Sequence, residues 1–302
     1  MTRVIVTGGS GKVGRTTVRR LVSAGYEVVN VDVAPSPDPV APFLRVDLTD
    51  QGQVFDALKG AESVVHLAAI SAPRLATDEV TFRTNVSSTW NVFSAAVTLG
   101  LQRVVWASSE TVLGLPFDRV TPAYAPIDES HTRYPETAYA LSKVTGEDMA
   151  RHVARWSGVP FIGLRFSNVI EHEPRPGQPA GGYAQFPGWQ GDPNVRKWNL
   201  WGYVDASDCA LACHRALEAD TSSWQHDGPS DSGSDGLAQV FIIAAADTVM
   251  ARPGRELMTE VFPGTEVRAL SDERATLQSI EKARRMLGYE PEHTWVTYAG
   301  QA

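Results

Sequence analysis

Val4-Ile5-Val6-Thr7-Gly8-Gly9-Ser10-Gly11-Lys12-Val13-Gly14 is the stretch whose reading decides the fold. An apolar run ends in a glycine cluster, and a helical pattern follows at once. That is the order of a strand, a tight turn and a helix whose N-terminus faces a phosphate. Gly8 can take the backbone angles of the turn. Gly11 lets the main chain approach a pyrophosphate because it has no Cβ, and Gly14 lets the helix lie close on the strand. The helix N-terminus offers unpaired N–H groups and a partial positive charge. A glycine turn is often only a turn, so the rest of the chain has to agree with it.

Outward from this turn, strands and helices alternate. Val13 to Ala24 reads as a helix, with Val18, Leu21 and Val22 on its apolar stripe and Gly25 as its stop. Strands are predicted at Glu27 to Val33, Phe43 to Val46 and Ser63 to Leu67, with a helix around Val54 to Leu58. Thr81 to Leu99 reads as a long helix, Arg103 to Ala107 as a strand and Pro116 to Pro135 as a loop. Ala138 to Trp156 reads as a helix stopped by Gly158, and Pro160 to Arg165 as a strand. The strands are apolar almost throughout, which implies a parallel sheet covered on both faces. The predicted fold class is α/β, a doubly wound parallel sheet of the Rossmann type with a small C-terminal α/β substrate subdomain. Residues 1–165 form the core of this reading, and residues 166–302 form mainly the substrate-binding portion. In that second part, Leu200 to Val204 reads as a short strand and Ala206 to Ala219 as an amphipathic helix. Gln239 to Ala244 is a strand free to rejoin the main sheet. Ser279 to Leu287 reads as a helix capped by Ser279 and stopped by Gly288. Glu171 to Pro193 reads as irregular, and Thr221 to Gly236, rich in Ser, Asp and Gly, as a mobile loop.

Composition narrows the partners. The chain has 302 residues, 43% hydrophobic and 21% charged, with a formal net charge of −8. That balance argues against nucleic acid, which needs clustered Lys and Arg. No apolar run reaches bilayer length, and Met1-Thr2-Arg3 leads straight into the first strand. The two cysteines, Cys209 and Cys213, share a helix face and read as buried thiols, which fits a cytoplasmic location. Glu171-His172-Glu173 fits no metal spacing, and no metal is expected.

Three further signals carry chemistry. Asp32 ends the second strand, where an acidic residue accepts hydrogen bonds from the adenosine ribose and repels a 2′-phosphate. That favours NAD over NADP as the cofactor. Tyr139 and Lys143 stand one helical turn apart, so phenol and ammonium share a face. An ammonium and a cationic nicotinamide nearby would lower the phenol's pKa from about 10, so that it could take a proton from a substrate hydroxyl. Ser109 follows the fifth strand, where ligands of open parallel sheets bind, and can hold the reacting oxygen.

Taken together, these residues resemble the extended short-chain dehydrogenase/reductases, the NAD-dependent epimerase/dehydratase group, from Thr7 to about Ala216. A weaker echo follows in Lys282-Ala283-Arg284-Arg285-Met286-Leu287-Gly288-Tyr289. The resemblance adds Lys12 and Val13 to the cofactor turn, and Asp47-Leu48 as an adenine-contacting pair. It implies that Leu67, Ala68 and Ala69 line the cofactor, that Asn85 lies near it, and that Tyr139 and Lys143 also contact it. It makes Ser109, Tyr139 and Lys143 a catalytic triad, and Tyr203-Val204-Asp205-Ala206-Ser207-Asp208 a strand-to-helix motif of the substrate half. It also implies a homodimer through the helices around Thr84 to Leu99 and Ala138 to Trp156.

Departures from the family pattern narrow the chemistry. Family 4,6-dehydratases carry Asp-Glu after the catalytic hydroxyl residue, whereas Glu110-Thr111 stands here, so water elimination is not expected. Galactose-type epimerases place a diphosphate-gripping arginine where this chain has Trp201. Asn168, however, matches a family asparagine that contacts the nucleotide sugar. The uronate dehydrogenase branch offers a closer echo in Ser71 and Arg196 as substrate contacts, Arg196 being suited to a carboxylate. The bland alternative for Arg196-Lys197 is a solvated pair. Tyr183, Phe186, Trp189, Trp198 and Trp201 suit sugar-ring faces or a core. The reading is an NAD-dependent oxidoreductase acting on a sugar, sugar acid or similar small polyol. An epimerase that returns the hydride to the opposite face is the alternative. A non-catalytic NAD sensor is the third class, opposed by the intact Ser109, Tyr139 and Lys143.

Overall fold

The computed structural model describes residues 1–171, 182–224 and 236–299. The chain begins β1 (Arg3–Thr7), α1 (Lys12–Ser23), β2 (Glu27–Asp32), β3 (Phe43–Arg45), α2 (Gln51–Leu58) and β4 (Ser63–His66). It continues α3 (Asp78–Thr98), β5 (Arg103–Ser109), β6 (Tyr124–Ala125), α4 (Ala138–Ser157), β7 (Phe161–Phe166) and β8 (Val169–Ile170). It ends β9 (Val204–Asp205), α5 (Ala206–Glu218), β10 (Ala238–Ile243), α6 (Gly254–Val261), β11 (Glu266–Val267), α7 (Glu281–Leu287) and α8 (Trp295–Ala299).

Seven strands form one sheet in the order β10-β7-β5-β4-β1-β2-β3, and every pairing in it is parallel. The expected doubly wound sheet is present, and β10 rejoins it beside β7. Alternation along β1 shows why both faces are covered. Val4 and Val6 pack with Val18 and Leu21 of α1 and Leu211 of α5. Ile5 faces the other way, toward Val54 and Leu58 of α2, Phe93 of α3 and Val153 of α4. Helix α4 lies close on the sheet because Gly146 has no side chain; a Cβ there would stand 3.0 Å from Trp106.

Some local expectations are corrected. Leu200 and Trp201 are not in a strand: both take left-handed backbone angles, φ 54° and 56°, after a short turn of 3-10 helix at Lys197–Asn199. The strand is only Val204–Asp205, paired with β8. Helix α7 starts at Glu281 with Ile280 at its N-cap and no side-chain cap. The Pro116 to Pro135 loop contains β6, which pairs with β11. Cys209 and Cys213 are both buried and free, as expected. The central residues of the Thr221 to Gly236 stretch, and His172 and Glu173, lie outside the described residues.

Candidate active site

The carboxyl ends of β1, β2, β3, β4, β5 and β7 open on a cleft of about 730 Å³. Gly8, Gly11, Lys12, Val13, Gly14, Asp32, Asp47, Leu48, Leu67, Ala68 and Ala69 line it, as do Ser71, Ser109, Tyr139, Lys143 and Asn168. These expected residues come from segments far apart in sequence, and the sheet brings them together.

The glycine turn is built as its sequence requires. Gly8 sits at φ +68°, where a Cβ would press on the backbone of Ala68 at 2.6 Å. Gly8 N donates to Val31 O at 2.8 Å and Gly11 N to Gly8 O at 3.0 Å. Helix α1 has Gly11 at its N-cap and no side-chain cap bond. By contrast, Asp50, Thr77, Thr137 and Asp205 cap α2, α3, α4 and α5 with their side chains. The first turn of α1 thus keeps its donors for an anion, and the missing Cβ of Gly11 leaves the approach open. Asp32 stands opposite, its carboxylate accepting from Ser10 N at 3.1 Å and Val33 N at 2.7 Å. This uncapped helix end with a carboxylate at the neighbouring strand end fits NAD.

Tyr139 is pushed up to about 12 by burial and by the Glu110 carboxylate, while contact with the Ser109 hydroxyl pulls it down. The Lys143 ammonium lies 5.8 Å from the centre of the Tyr139 ring and donates to Ala107 O at 2.8 Å. Burial lowers Lys143 itself to about 8. In the protein alone the phenol is therefore held protonated.

The remaining expected residues divide. Asn85 is not in the cleft wall; it accepts from Ile70 N at 2.8 Å and donates to Ile70 O at 3.1 Å, fixing the loop after β4. Arg196 also lies behind the wall. It is no solvated residue: its guanidinium is stacked 4.6 Å from Trp189 and 4.8 Å from Trp198. It donates to Gly202 O at 3.2 Å and to the Asn168 side-chain oxygen at 3.0 and 3.2 Å. Of the aromatic group, Trp198 lines the cleft. Tyr183, Phe186 and Trp201 are buried core, and Trp201 Nε1 donates to Pro193 O at 2.7 Å. The place of the diphosphate-gripping arginine is thus filled by a core indole.

One cleft residue had no assigned role. Glu110, next to Ser109, is buried with its carboxyl in a cage of donors. Ser167 Oγ donates at 2.6 Å, Gln278 Nε2 at 2.5 Å and Asn199 Nδ2 at 3.4 Å. Burial raises it to about 7 against the pull of these bonds and of Arg196. A carboxylate at the end of an apolar strand was the available signal.

Comparison with known proteins gives the family. Residues 4–226 match the model of the NAD dependent epimerase/dehydratase family. The chain belongs to that family. It is 29% identical to the NAD-dependent glucose-6-phosphate dehydrogenase of Haloferax volcanii, over 57% of this chain and 70% of that one. It is 27% identical to a UDP-glucose 4-epimerase of Lacticaseibacillus casei, over 96% of this chain and 92% of that one. A crystal structure of a UDP-galactose 4-epimerase superposes with a TM-score of 0.67 at 26% identity, covering 97% of this chain and 94% of that one. This family member is an NAD-dependent enzyme.

Proposed function

We propose that the chain is an NAD-dependent dehydrogenase of a free sugar, sugar acid or similar small polyol. The observation that carries this is the meeting of Ser109, Tyr139 and Lys143 with the Gly8–Gly14 turn and Asp32 in one cleft. The turn and the first amides of α1 would hold the pyrophosphate, Asp32 the adenosine ribose, and Asp47 and Leu48 the adenine side. Lys143 would hold the nicotinamide ribose. NAD supplies the hydride acceptor and one positive charge.

The chain's own residues do the rest. Ser109 holds the reacting oxygen against Tyr139. Tyr139 takes the hydroxyl proton as the carbonyl forms, and its burial keeps bulk water from competing for that proton. Asn85 holds the Ala69–Ile70 backbone that walls the cleft. Asn168, fixed from behind by Arg196, and the Trp198 indole form the substrate side. Trp201 in the core supports a free sugar over a nucleotide diphosphate sugar, because no cation stands at that position.

The epimerase reading is favoured by one observation, Asn168 in the cleft wall. Incubation with NAD and panels of free sugars, sugar acids and nucleotide sugars separates the two. Net NADH with a free sugar or sugar acid supports the dehydrogenase. Isomer interconversion without net NADH supports the epimerase. A homodimer through α3 and α4 is part of the same proposal: those helices leave Trp90, Leu141 and Trp156 exposed at 41%, 45% and 65%.

A further inference from the structure

Arg196 shapes the cleft from behind its wall. Its guanidinium carbon lies 4.6 Å from the centre of the Trp189 ring and 4.8 Å from that of Trp198. Trp189 is itself stacked 4.8 Å from the buried Phe186. Arg196 is buried, and one terminal nitrogen donates to Gly202 O at 3.2 Å. Its Nε has no partner among the described residues, so the two terminal nitrogens fix its direction. Both of them donate to the side-chain oxygen of Asn168, at 3.2 and 3.0 Å.

That contact decides which way the Asn168 amide is turned. The main chain there is held: Val204 N donates to Asn168 O at 3.1 Å, and Ser167 Oγ, one residue earlier, donates to Glu110 at 2.6 Å. What is left to set is the side chain. Turned the other way, the amide would place its N–H donors against guanidinium donors, and neither would find an acceptor there. A guanidinium carries no acceptor, so it can hold the amide in one sense only. With the oxygen taken, the amino group is the other face of the amide, and Asn168 lines the cleft. The same guanidinium stacks on Trp198, a second lining residue of the substrate side.

We propose that Arg196 is a positioning residue that determines specificity: its two hydrogen bonds to the Asn168 oxygen turn the amide nitrogen toward the cleft, so that the substrate half reads an acceptor oxygen. The substrate class is a polyol or sugar acid that meets Asn168 with a hydroxyl, ring or carboxylate oxygen. A group that only donates, such as the ammonium of an amino sugar, is refused at that point. Arg196 itself touches no substrate and acts through Asn168, unlike an arginine that grips a carboxylate directly. The kinetic arm of this inference rests on the reading of the cleft given above, but the amide-order arm does not.

Three measurements test it. Asn168→Asp keeps an oxygen toward Arg196 and replaces the amino group by a second oxygen. It should melt near the wild type and bind NAD as tightly, while KM for the panel substrate that the wild type turns over rises at least about tenfold. An unchanged or lower KM would mean that the cleft side reads a donor, and overturns the inference. A double-mutant cycle tests the route. Arg196→Met should raise KM with kcat changed far less, and should alter KM by less than about twofold once Asn168→Ala is present. Additive losses would mean that Arg196 acts by direct contact or by general stability, and overturn it as well. Should Arg196→Met not fold, Arg196→Lys, with one donor group in place of two, takes its place in the cycle with the same expectations. The third measurement needs no substrate: the heteronuclear NOE of the Asn168 side-chain amide in ¹⁵N-labelled protein, its signals assigned by their loss in Asn168→Ala. The amide should be as ordered as the backbone in the wild type and lose that order in the Arg196 variant; equal order in both overturns the inference. If the wild type turns over nothing in the panel, the dehydrogenase reading fails while the amide order still decides the role of Arg196.

Discussion

At the scale of single residues, the site depends on groups whose charge is set by burial. His66 is the clearest case. It is fully enclosed between Thr7 Oγ1 at 2.7 Å and Thr89 Oγ1 at 3.3 Å, and burial with the Lys143 charge lowers it to about 3. The unfolded chain therefore binds a proton that the folded one refuses between pH 6.5 and about 3. The neutral ring's contribution is intact above 6.5 and is lost as pH falls through that window, with a slope of up to about 1.4 kcal/mol per pH unit. Denaturant melts from pH 7 to 4 should show this acid limb, and His66→Gln should flatten it. Glu110 shows why some chemistry escapes a reading of the sequence. Its partners lie 57, 89 and 168 residues away, so no local window contains the cage that decides its charge. Tyr139 and Lys143 were legible because one helical turn already joins them. Their burial, which raises Tyr139 and lowers Lys143, was not, because it depends on residues far away in the chain.

At the scale of elements, the β1–turn–α1 unit makes two glycine predictions of different kinds. Gly14→Ala would drive its Cβ into Gly8 O and the Gly9 backbone. It should cost at least about 2–3 kcal/mol of stability, as backbone collisions in a packed site do. Gly11→Ala meets only Gly8 O, at 3.2 Å, and otherwise open cleft. It should leave the melting temperature nearly unchanged and weaken NAD binding at least about tenfold, equivalent to about 1.4 kcal/mol. Thermal melts together with NAD titrations by fluorescence quenching check both. Equal effects of the two substitutions would mean that Gly11 is structural. This unit was readable because its strand, turn and helix signals are contiguous. The Leu200–Trp201 stretch was misread because its apolar residues imitate a strand. Leu200 and Trp201 instead turn at positive φ and are buried through contacts distant in sequence, Trp201 packing 6.2 Å from Phe262.

At the scale of the whole molecule, the seven-stranded parallel sheet puts six strand ends on one cleft, and that was foreseeable from alternating apolar strands and helices. The strand β10 shows the limit. Its apolar run and its freedom to rejoin the main sheet could be read, but not its place beside β7, which lies far earlier in the chain. Helices α3 and α4 present Trp90 and Leu141 outward. Size-exclusion chromatography with light scattering should give a dimer, and Trp90→Glu should shift it toward monomer; a monomeric wild type would contradict the proposed interface. The measurement that bears most directly on the central claim is NADH formation from free sugars and sugar acids by the wild type and by Tyr139→Phe. The account predicts net NADH from the wild type and a fall in kcat of about 10³-fold in the variant, with NAD affinity unchanged within twofold. Equal turnover by Tyr139→Phe, with NAD bound equally well, would contradict it.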